Sequence, residues 1–181
     1  MNICVFGAAR DEIDPEYLAL GEALGELMAR RGHRMIFGGG GHGLMGAAAR
    51  GMERRDGEIV GVVPYFFNSP GLLFENCTEM IRMDTMAERK DIMRRRADAF
   101  VALPGGIGTM EEIFEVITLR SLGRLSKPAA FLDVLGYWLP AVELLMASVE
   151  KGFAGKTLLS SFEYFTDPAA CLDWLEREAQ A

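Results

Sequence analysis

Short apolar runs alternate with longer amphipathic segments along the whole chain. Five runs have the length and the near-continuous apolar character of buried β-strands: residues 3–6, 35–37, 59–63, 99–103 and 129–132. Strands that are apolar on both faces must be covered on both faces, and such strands separated by helices form parallel sheets. The pattern therefore predicts an α/β fold with a doubly wound, mostly parallel sheet and helices on both faces.

Six segments with helical periodicity lie between and after these strands. The first begins with Asp14 as a helix cap and Pro15 in the first turn, and it ends at Gly32. Its predicted buried stripe consists of Tyr17, Leu20, Leu24 and Met28. The other predicted helices span residues 44–55, 86–97, 110–122, 136–150 and 168–178. Residues 64–83 contain Pro, Gly and Asn, and we expect an irregular segment over the sheet there.

Composition narrows the class of protein. With 181 residues, of which 50% are hydrophobic, the chain suits a single domain over residues 1–181 with a sizeable core. A net charge of −7 argues against DNA or RNA as a partner, because nucleic-acid binding needs clustered Lys and Arg. The three cysteines form no CxxC pair, which argues against a disulfide framework and a zinc site. The sequence shows neither a leader nor an apolar run of about 18 residues, so we expect a cytoplasmic protein without membrane contact.

A first glycine-rich turn, GGGGHGLMG at residues 38–46, follows a predicted strand and begins a helix. Its amides can face an anion, which makes Gly39, Gly40 and Gly43 candidate ligand contacts. The turn contains GxGxxG, but no acidic residue lies near Val63, about 20 residues further on, where an NAD or FAD site needs one. Two interpretations remain: an anion site, or glycines that only allow a helix to pack closely on a strand.

A second turn, LPGGIGTMEE at residues 103–112, repeats this arrangement at the end of a later strand. We expect Gly105, Gly106 and Gly108 to adopt positive φ and to let a ligand approach the backbone, and Thr109 to begin a helix. A phosphate there would be held by amide donors and the helix dipole. No Lys-Ser or Lys-Thr pair follows the glycines, so the turn does not indicate a P-loop ATPase.

Glu112 allows two interpretations. In the first it forms a capping box with Thr109 and has no chemical role. In the second it continues the apolar face of its helix, so it is partly buried and needs a partner. The helix at residues 86–97 offers candidates, because Arg89 and Lys90 lie in or beside its apolar stripe. Their alternative role is to cover apolar surface with their stems while their charges reach water.

Four segments together resemble the LOG family of nucleoside 5′-monophosphate phosphoribohydrolases: GGGGHGLMG (38–46), MAERK (86–90), RADAFVALPGGIGTMEE (96–112) and EVITLRSLG (115–123). The resemblance extends over residues 3–152. It implies hydrolysis of the N-glycosidic bond of cytokinin riboside 5′-monophosphates or AMP, which gives free base and ribose 5-phosphate. It also implies a Rossmann-like fold, a homodimer, and a reaction without a metal or redox cofactor.

Carried over to this sequence, the family motifs imply that Arg89 and Glu112 are the catalytic residues. They assign the nucleotide-binding site to Gly39, Gly40, Gly43, Met86, Lys90, Gly105, Gly106, Ile107, Gly108, Thr109, Glu111 and Thr118.

The sequence also departs from the family pattern. Members have Gly-Ser-Ser after the first strand, whereas here Gly7 is followed by Ala8, Ala9 and Arg10. Ala87 replaces a motif histidine and Ile107 an aromatic residue, and an upstream glutamate has no clear counterpart in residues 68–79. Arg10 could supply the contact that a serine hydroxyl would make with phosphate. The base preference therefore stays open.

Two other functions are compatible with the same scaffold. A non-catalytic nucleotide or cofactor carrier would bind its ligand without releasing a base. A decarboxylase would need a lysine that forms a Schiff base with pyridoxal phosphate. The available lysines are Lys90, Lys127, Lys151 and Lys156, and none lies in a pattern typical of such a pocket.

The predicted helix at residues 110–122 is apolar around most of its circumference. We therefore expect it to contact the sheet on one side and a second subunit on the other.

Overall fold

The computed structural model describes residues 1–67 and 69–180. Within these residues seven strands form one sheet: β1 (Asn2–Phe6), β2 (Arg34–Phe37), β3 (Ile59–Pro64), β4 (Glu79–Met83), β5 (Ala99–Ala102), β6 (Ala129–Leu132) and β7 (Glu163–Phe165). Their order is β4-β3-β2-β1-β5-β6-β7, and every neighbouring pair is parallel. The five strands predicted from apolar runs are all present.

The same part of the chain contains six α-helices: α1 (Pro15–Arg30), α2 (Gly43–Glu53), α3 (Met86–Arg96), α4 (Ile107–Ser121), α5 (Leu139–Glu150) and α6 (Pro168–Glu178). Helices α1, α2 and α6 pack on one face of the sheet, where Leu24, Met52 and Leu172 are buried. Helices α3, α4 and α5 pack on the other, where Met93 and Ile113 are buried. The predicted doubly wound α/β fold is confirmed. None of the described helices is long and apolar enough to cross a lipid bilayer.

Helix α1 follows its sequence signals. The Asp14 carboxylate accepts a hydrogen bond from the amide of Glu16 at 2.9 Å, and Pro15 lies in the first turn. Gly32 follows the helix end with a φ of 71°. The buried positions include Leu20, Leu24 and Met28 from the predicted stripe. Local pattern and tertiary packing therefore agree in this element.

Both edge strands differ from the predictions. The last five residues of segment 64–83, predicted as irregular, form β4. Glu79 and Arg82 interrupt its apolar pattern because this strand lies at the edge of the sheet, where four of its five residues are only partly buried. At the opposite edge, β7 is only three residues long and carries no apolar run. Asn68, which belongs to the predicted irregular segment 64–83, lies outside the described residues.

Helix α2 begins one residue before its predicted start, and two helices begin three residues away from theirs. Helix α4 begins at Ile107 instead of Met110. Helix α5 begins at Leu139, because Gly136 has a φ of 75° and belongs to the preceding turn. The shift of α4 matters for function, since it moves a helix N-terminus into the glycine turn.

The strand order reverses between β1 and β5, because the chain runs from β1 towards β2 on one side and from β5 towards β6 on the other. In open α/β sheets, ligands bind outside the carboxyl ends of the strands at such a point. We therefore expect a ligand site at the two segments that follow β1 and β5.

Candidate active site

A cavity of about 540 Å³ opens at the carboxyl ends of β1 and β5. Its volume is typical of small-molecule sites. One wall comes from residues 7–10, directly after β1, and the opposite wall from the glycine turn and the first turn of α4. A hydrogen bond from the Ala8 amide to the Pro104 carbonyl, at 3.0 Å, joins the two walls.

A buried ion pair between α3 and α4 forms part of the cavity wall. Arg89 Nη1 lies 2.8 Å from Glu112 Oε1, and the side chains are only 7% and 11% exposed. Arg89 Nε also donates to the Val62 carbonyl at 3.0 Å, near the end of β3. The prediction of a partly buried Glu112 with a cationic partner is confirmed. The alternative in which the charge of Arg89 reaches water is wrong.

Gly38, in the first glycine turn, leaves room for this pair. A Cβ atom built on Gly38 would lie 2.0 Å from Nη2 of Arg89. The guanidinium is held by both Val62 and Glu112, so it cannot move aside without straining or breaking one of those bonds. A residue that does not line the cavity therefore determines where Arg89 lies.

The environment of Glu112 changes its acidity. Burial raises the pKa of this carboxyl above its ordinary value, and the positive charge of Arg89 offsets that effect only in part. A carboxylate with a raised pKa accepts a proton more readily than an exposed glutamate. A perturbed acid in a cavity at this position of the sheet is typical of a catalytic site.

The turn after β5 leads directly into α4. Gly106 is the N-cap with a φ of −80°, and the positive φ values predicted for Gly105, Gly106 and Gly108 are wrong. Gly106 is extended and Gly108 is already helical, so no left-handed residue is needed here. Gly105 must lack a side chain for another reason: a Cβ atom there would lie 2.2 Å from Thr109 Oγ1 and 2.9 Å from the Ala8 nitrogen.

The first turn of α4 has amides available to a ligand. The capping box of Thr109 and Glu112 is not formed, because Thr109 lies inside the helix and Glu112 binds Arg89. Among the residues that the structure describes, the amides of Ile107, Gly108 and Thr109 have no protein acceptor. Cβ atoms on Gly106 and Gly108 would meet nothing within 4 Å, so the approach to this backbone is open. Such a helix N-terminus favours an anion.

Further ion pairs join α3 and α4 beside the cavity. Lys90 binds Glu111 and also Glu115, the latter at 2.7 Å. Arg94 binds Glu115 at 2.8 Å. Hydrogen bonds to Glu111 and Glu115 raise the pKa of Lys90, which keeps this side chain charged. The two helices that carry Arg89 and Glu112 are thus held in register by charge.

The N-terminus of α2, in the first glycine turn, is occupied by a carboxylate of the chain itself. Asp11 Oδ1 accepts from the Gly43 amide at 2.7 Å, and Asp11 Oδ2 lies 2.6 Å from His42 Nδ1. His42 Nε2 lies 2.9 Å from the Gly71 carbonyl oxygen. A Cβ atom on Gly39 would lie 2.2 Å from a Val63 methyl carbon. These contacts fit the interpretation of close packing better than that of a ligand site.

The predicted site residues divide into two groups. Those that line the cavity are Met86, Arg89, Gly105, Gly106, Gly108, Thr109, Glu111 and Glu112. The others lie outside the lining described by the structure: Gly39, Gly40, Gly43, Lys90, Ile107 and Thr118. The Ile107 side chain is 83% exposed, and the Thr118 hydroxyl donates to the Phe114 carbonyl within α4. Substrate contact stays a prediction for all of these residues.

Sequence reasoning missed an aromatic and apolar part of the cavity wall. It includes Ile13, Tyr17, Leu44, Met45, Phe67 and Tyr137, which come from segments far apart in the chain. Only Tyr137 carries a usable signal, since it follows the carboxyl end of β6. Arg10 also lines the cavity, and within residues 1–67 and 69–180 its guanidinium has no carboxylate partner.

Comparisons with known proteins identify a matching family model, sequence relatives and a structure of similar fold. The family model described as "Possible lysine decarboxylase" matches residues 45–175. A rice (Oryza sativa subsp. japonica) protein named probable cytokinin riboside 5′-monophosphate phosphoribohydrolase LOGL5 is 37% identical over 152 residues, 84% of this chain. The match covers 62% of the rice protein, so this chain spans less than two thirds of that relative. A protein of Rhodococcoides fascians named cytokinin riboside 5′-monophosphate phosphoribohydrolase is 36% identical over 153 residues, 84% of this chain and 77% of that protein.

One solved structure with a similar fold is that of the molybdenum cofactor carrier protein of Chlamydomonas reinhardtii. It superposes with a TM-score of 0.75 over 99% of this chain and 98% of the other, at 20% sequence identity. At that identity the similarity concerns the fold alone.

Proposed function

Since the chain belongs to the LOG family of cytokinin riboside 5′-monophosphate phosphoribohydrolases, we propose that it hydrolyses the N-glycosidic bond of nucleoside 5′-monophosphates to free base and ribose 5-phosphate. The observation that carries this proposal is the buried Arg89–Glu112 pair beside a helix N-terminus with free amides. The two features would bind the two ends of one substrate, with the acid at the sugar and the amides at the phosphate.

Glu112 would act on the sugar. Departure of the base builds positive charge on the ribose ring, as in O-glycoside hydrolysis, and a fixed carboxylate stabilises that charge. The oxygen of a water molecule bonds to C1′ while the C1′–N bond breaks and its electron pair leaves with the base. The water gives a proton to Glu112, the departing base takes up a proton from solvent, and Glu112 afterwards returns its proton to solvent. The raised pKa of Glu112 suits it to this exchange.

Arg89 would have two tasks. Its bonds to Glu112 and Val62 hold the carboxylate in one orientation. It also lines the cavity, where its guanidinium can contact the sugar and keep the substrate in register.

The phosphate would bind at the start of α4. Amides of residues 107–109 supply donors there, and the Arg10 guanidinium supplies positive charge from the opposite wall. Phosphate binding lies away from the reacting carbon, so its binding energy can be used to orient the sugar. Arg10 would in this way take over from the hydroxyls of the family's Gly-Ser-Ser.

The base would lie against the apolar part of the wall. Tyr17, Phe67 and Met86 provide aromatic and thioether surface there, and Phe67 and Met86 are 37% and 40% exposed. These side chains favour adenine over pyrimidines and suit an apolar substituent on the exocyclic amine. Each buried methylene of such a substituent contributes about 0.8 kcal/mol.

The decarboxylase description of the matching family model finds no support in the cavity. A Schiff base with pyridoxal phosphate needs a lysine in the lining, and none of the lining residues that the structure describes is a lysine. Lys90 is engaged by Glu111 and Glu115, and Lys127 donates to the carbonyls of Arg94 and Arg95.

A product assay tests the proposal. The protein is incubated with AMP, GMP, CMP and N6-isopentenyl-AMP, and free base is measured by mass spectrometry. We expect release from the two adenine nucleotides, and faster release from the isopentenyl form. Glu112→Gln should lower the rate at least about a hundredfold while nucleotide binding is retained. Binding without release by the wild type would favour the carrier function, and normal turnover by Glu112→Gln would remove Glu112 from the mechanism.

A further inference from the structure

The turn between β6 and α5 is strained and is held by a buried carboxylate. Leu135 has a φ of 61° and Gly136 a φ of 75°. A left-handed leucine persists only where its surroundings hold it, and such outliers cluster at functional sites. Asp133, with no exposed surface, holds this turn by accepting hydrogen bonds from the amides of Tyr137 at 3.1 Å and Trp138 at 2.9 Å.

The strained turn directs Tyr137 onto the glycine turn. The Tyr137 hydroxyl donates a hydrogen bond to the carbonyl of Gly105. Its ring packs edge to face on Tyr17 with centroids 6.3 Å apart, and both rings line the cavity. Burial raises the pKa of the Tyr137 phenol, so the hydroxyl stays protonated and remains a donor.

Few hydrogen bonds hold Gly105 and Gly106 in the described part of the chain: besides the bond from Tyr137, the Met110 amide donates to the Gly106 carbonyl at 3.0 Å. Glycine restricts its own backbone less than any other residue, and the Gly106 cap has no side-chain hydrogen bond. The carbonyl of Gly105 lies immediately before the amides at the start of α4 that we assign to the phosphate. Anchoring this carbonyl orders those amides before a ligand arrives, which lowers the entropy that binding must overcome.

We infer that Tyr137 is a positioning residue: through the Gly105 carbonyl it orders the start of α4 to receive the phosphate of the nucleotide. This inference rests on the proposed function for the location of the phosphate. It assigns a role in binding to a residue that follows β6, whereas Arg89 and Glu112 lie on the helices that follow β4 and β5.

The test compares Tyr137→Phe with Tyr164→Phe. The Tyr164 hydroxyl donates to the Asp133 carboxylate at 3.0 Å, whereas the Tyr137 hydroxyl donates to the Gly105 carbonyl in the glycine turn. Each variant therefore loses one hydroxyl and one hydrogen bond, but only Tyr137→Phe loses a bond to the glycine turn. Affinities for AMP and adenosine are measured by calorimetry, and kcat and KM by base release. For Tyr137→Phe we expect the Kd and KM for AMP to rise about tenfold. Its kcat should change much less, and its affinity for adenosine should stay the same.

Tyr164→Phe should lower thermal stability and leave AMP affinity unchanged. If both variants behave alike, or if Tyr137→Phe binds AMP as the wild type does, the positioning role is wrong while the proposed hydrolysis can still hold. If the wild type binds AMP and releases no base, the proposed hydrolysis falls and the affinity comparison still decides the role of Tyr137.

A second measurement covers the case in which Tyr137→Phe does not fold: AMP should shift the backbone amide resonances of Ile107 and Gly108 in the wild type. Unshifted resonances would overturn the inference.

Discussion

The missing side chain of Gly38 decides the position of Arg89. The guanidinium occupies the space that a Cβ atom would need, and it reaches both Val62 and Glu112 from there. The far end of an arginine is flexible, so a methyl group at position 38 would displace it without disturbing the backbone. The first glycine turn thus acts on Arg89 through packing, which is close to the second of the two interpretations that the sequence left open for it.

We therefore predict that Gly38→Ala folds normally and loses most of its activity. If Glu112 acts as proposed, a displacement of about 1 Å in the residue that orients it can cost about a hundredfold in rate. The measurement is kcat for base release, together with a thermal melt. Gly155→Ala is the matched control, because a Cβ atom there would make only an ordinary contact of 3.6 Å with Thr157. Full activity in Gly38→Ala would show that Arg89 has another productive position.

The starts of α3 and α4 both carry the Thr-x-x-Glu pattern of a capping box, but the capping box forms only in α3. Thr85 and Glu88 form a capping box, with the Glu88 amide 3.1 Å from Thr85 Oγ1 and the Thr85 amide 3.0 Å from Glu88 Oε2. In α4 the corresponding glutamate, Glu112, binds Arg89 on the neighbouring helix. A local pattern cannot reveal this competitor, because Arg89 meets Glu112 only once the sheet has brought the two helices together.

The contact of Asp11, His42 and Gly71 ties three separate segments together beside the cavity. Both ring nitrogens of His42 face acceptors, and only the imidazolium can donate to both. The hydrogen bond to Asp11 is the main reason why the pKa of His42 is raised from 6.5. The pKa of Asp11 is lowered from 3.8, chiefly by the amide of Gly43 and then by His42.

These shifts predict a stability that depends on pH. The contribution of His42 is fully present below its unfolded pKa and is lost as the pH rises through its folded pKa. The contribution of Asp11 is present above its unfolded pKa and is lost only in acid. His42→Gln should therefore destabilise the protein more at about pH 5.5 than at about pH 8.5, as measured by urea unfolding. A difference that does not change with pH would mean that His42 is neutral in the folded state.

The overall architecture was largely predictable, and the composition of the cavity wall was not. Each buried strand is an apolar run that can be recognised locally, and the motifs around Arg89 and Glu112 are contiguous. Tyr17, Phe67 and Tyr137 meet at the cavity only because the strand order brings their segments to one edge of the sheet. The edge strands β4 and β7 were not predicted because strands that are mostly only partly buried need no apolar run, so no local pattern marks them.

Exposed apolar side chains on α4 and α5 are candidates for a contact between two subunits. Helix α4, for which we predicted a subunit contact, buries Ile113, Val116 and Ile117 in the core. Ile107 at its start and Leu122 just after its end are 83% and 66% exposed, and the subunit contact of α4 stays a prediction. Helix α5 presents more apolar surface, because none of its 12 residues is fully buried. Its exposed side chains include Leu139, Leu144 and Met146, and Phe153 follows at 84% exposure. We propose that this exposed apolar surface contributes to a homodimer.

Light scattering tests this association. We expect the wild type to have twice the mass of one chain, and Leu144→Glu to shift it towards the monomer, because a carboxylate cannot be buried in an apolar contact without a partner. Leu144→Lys should act in the same way, which separates the loss of apolar contact from the sign of the charge. Leu72→Glu is the matched control, since Leu72 is 37% exposed in the segment between β3 and β4, away from α5. A monomeric wild type, or a dimer that tolerates both substitutions at Leu144, would exclude this surface as the subunit contact.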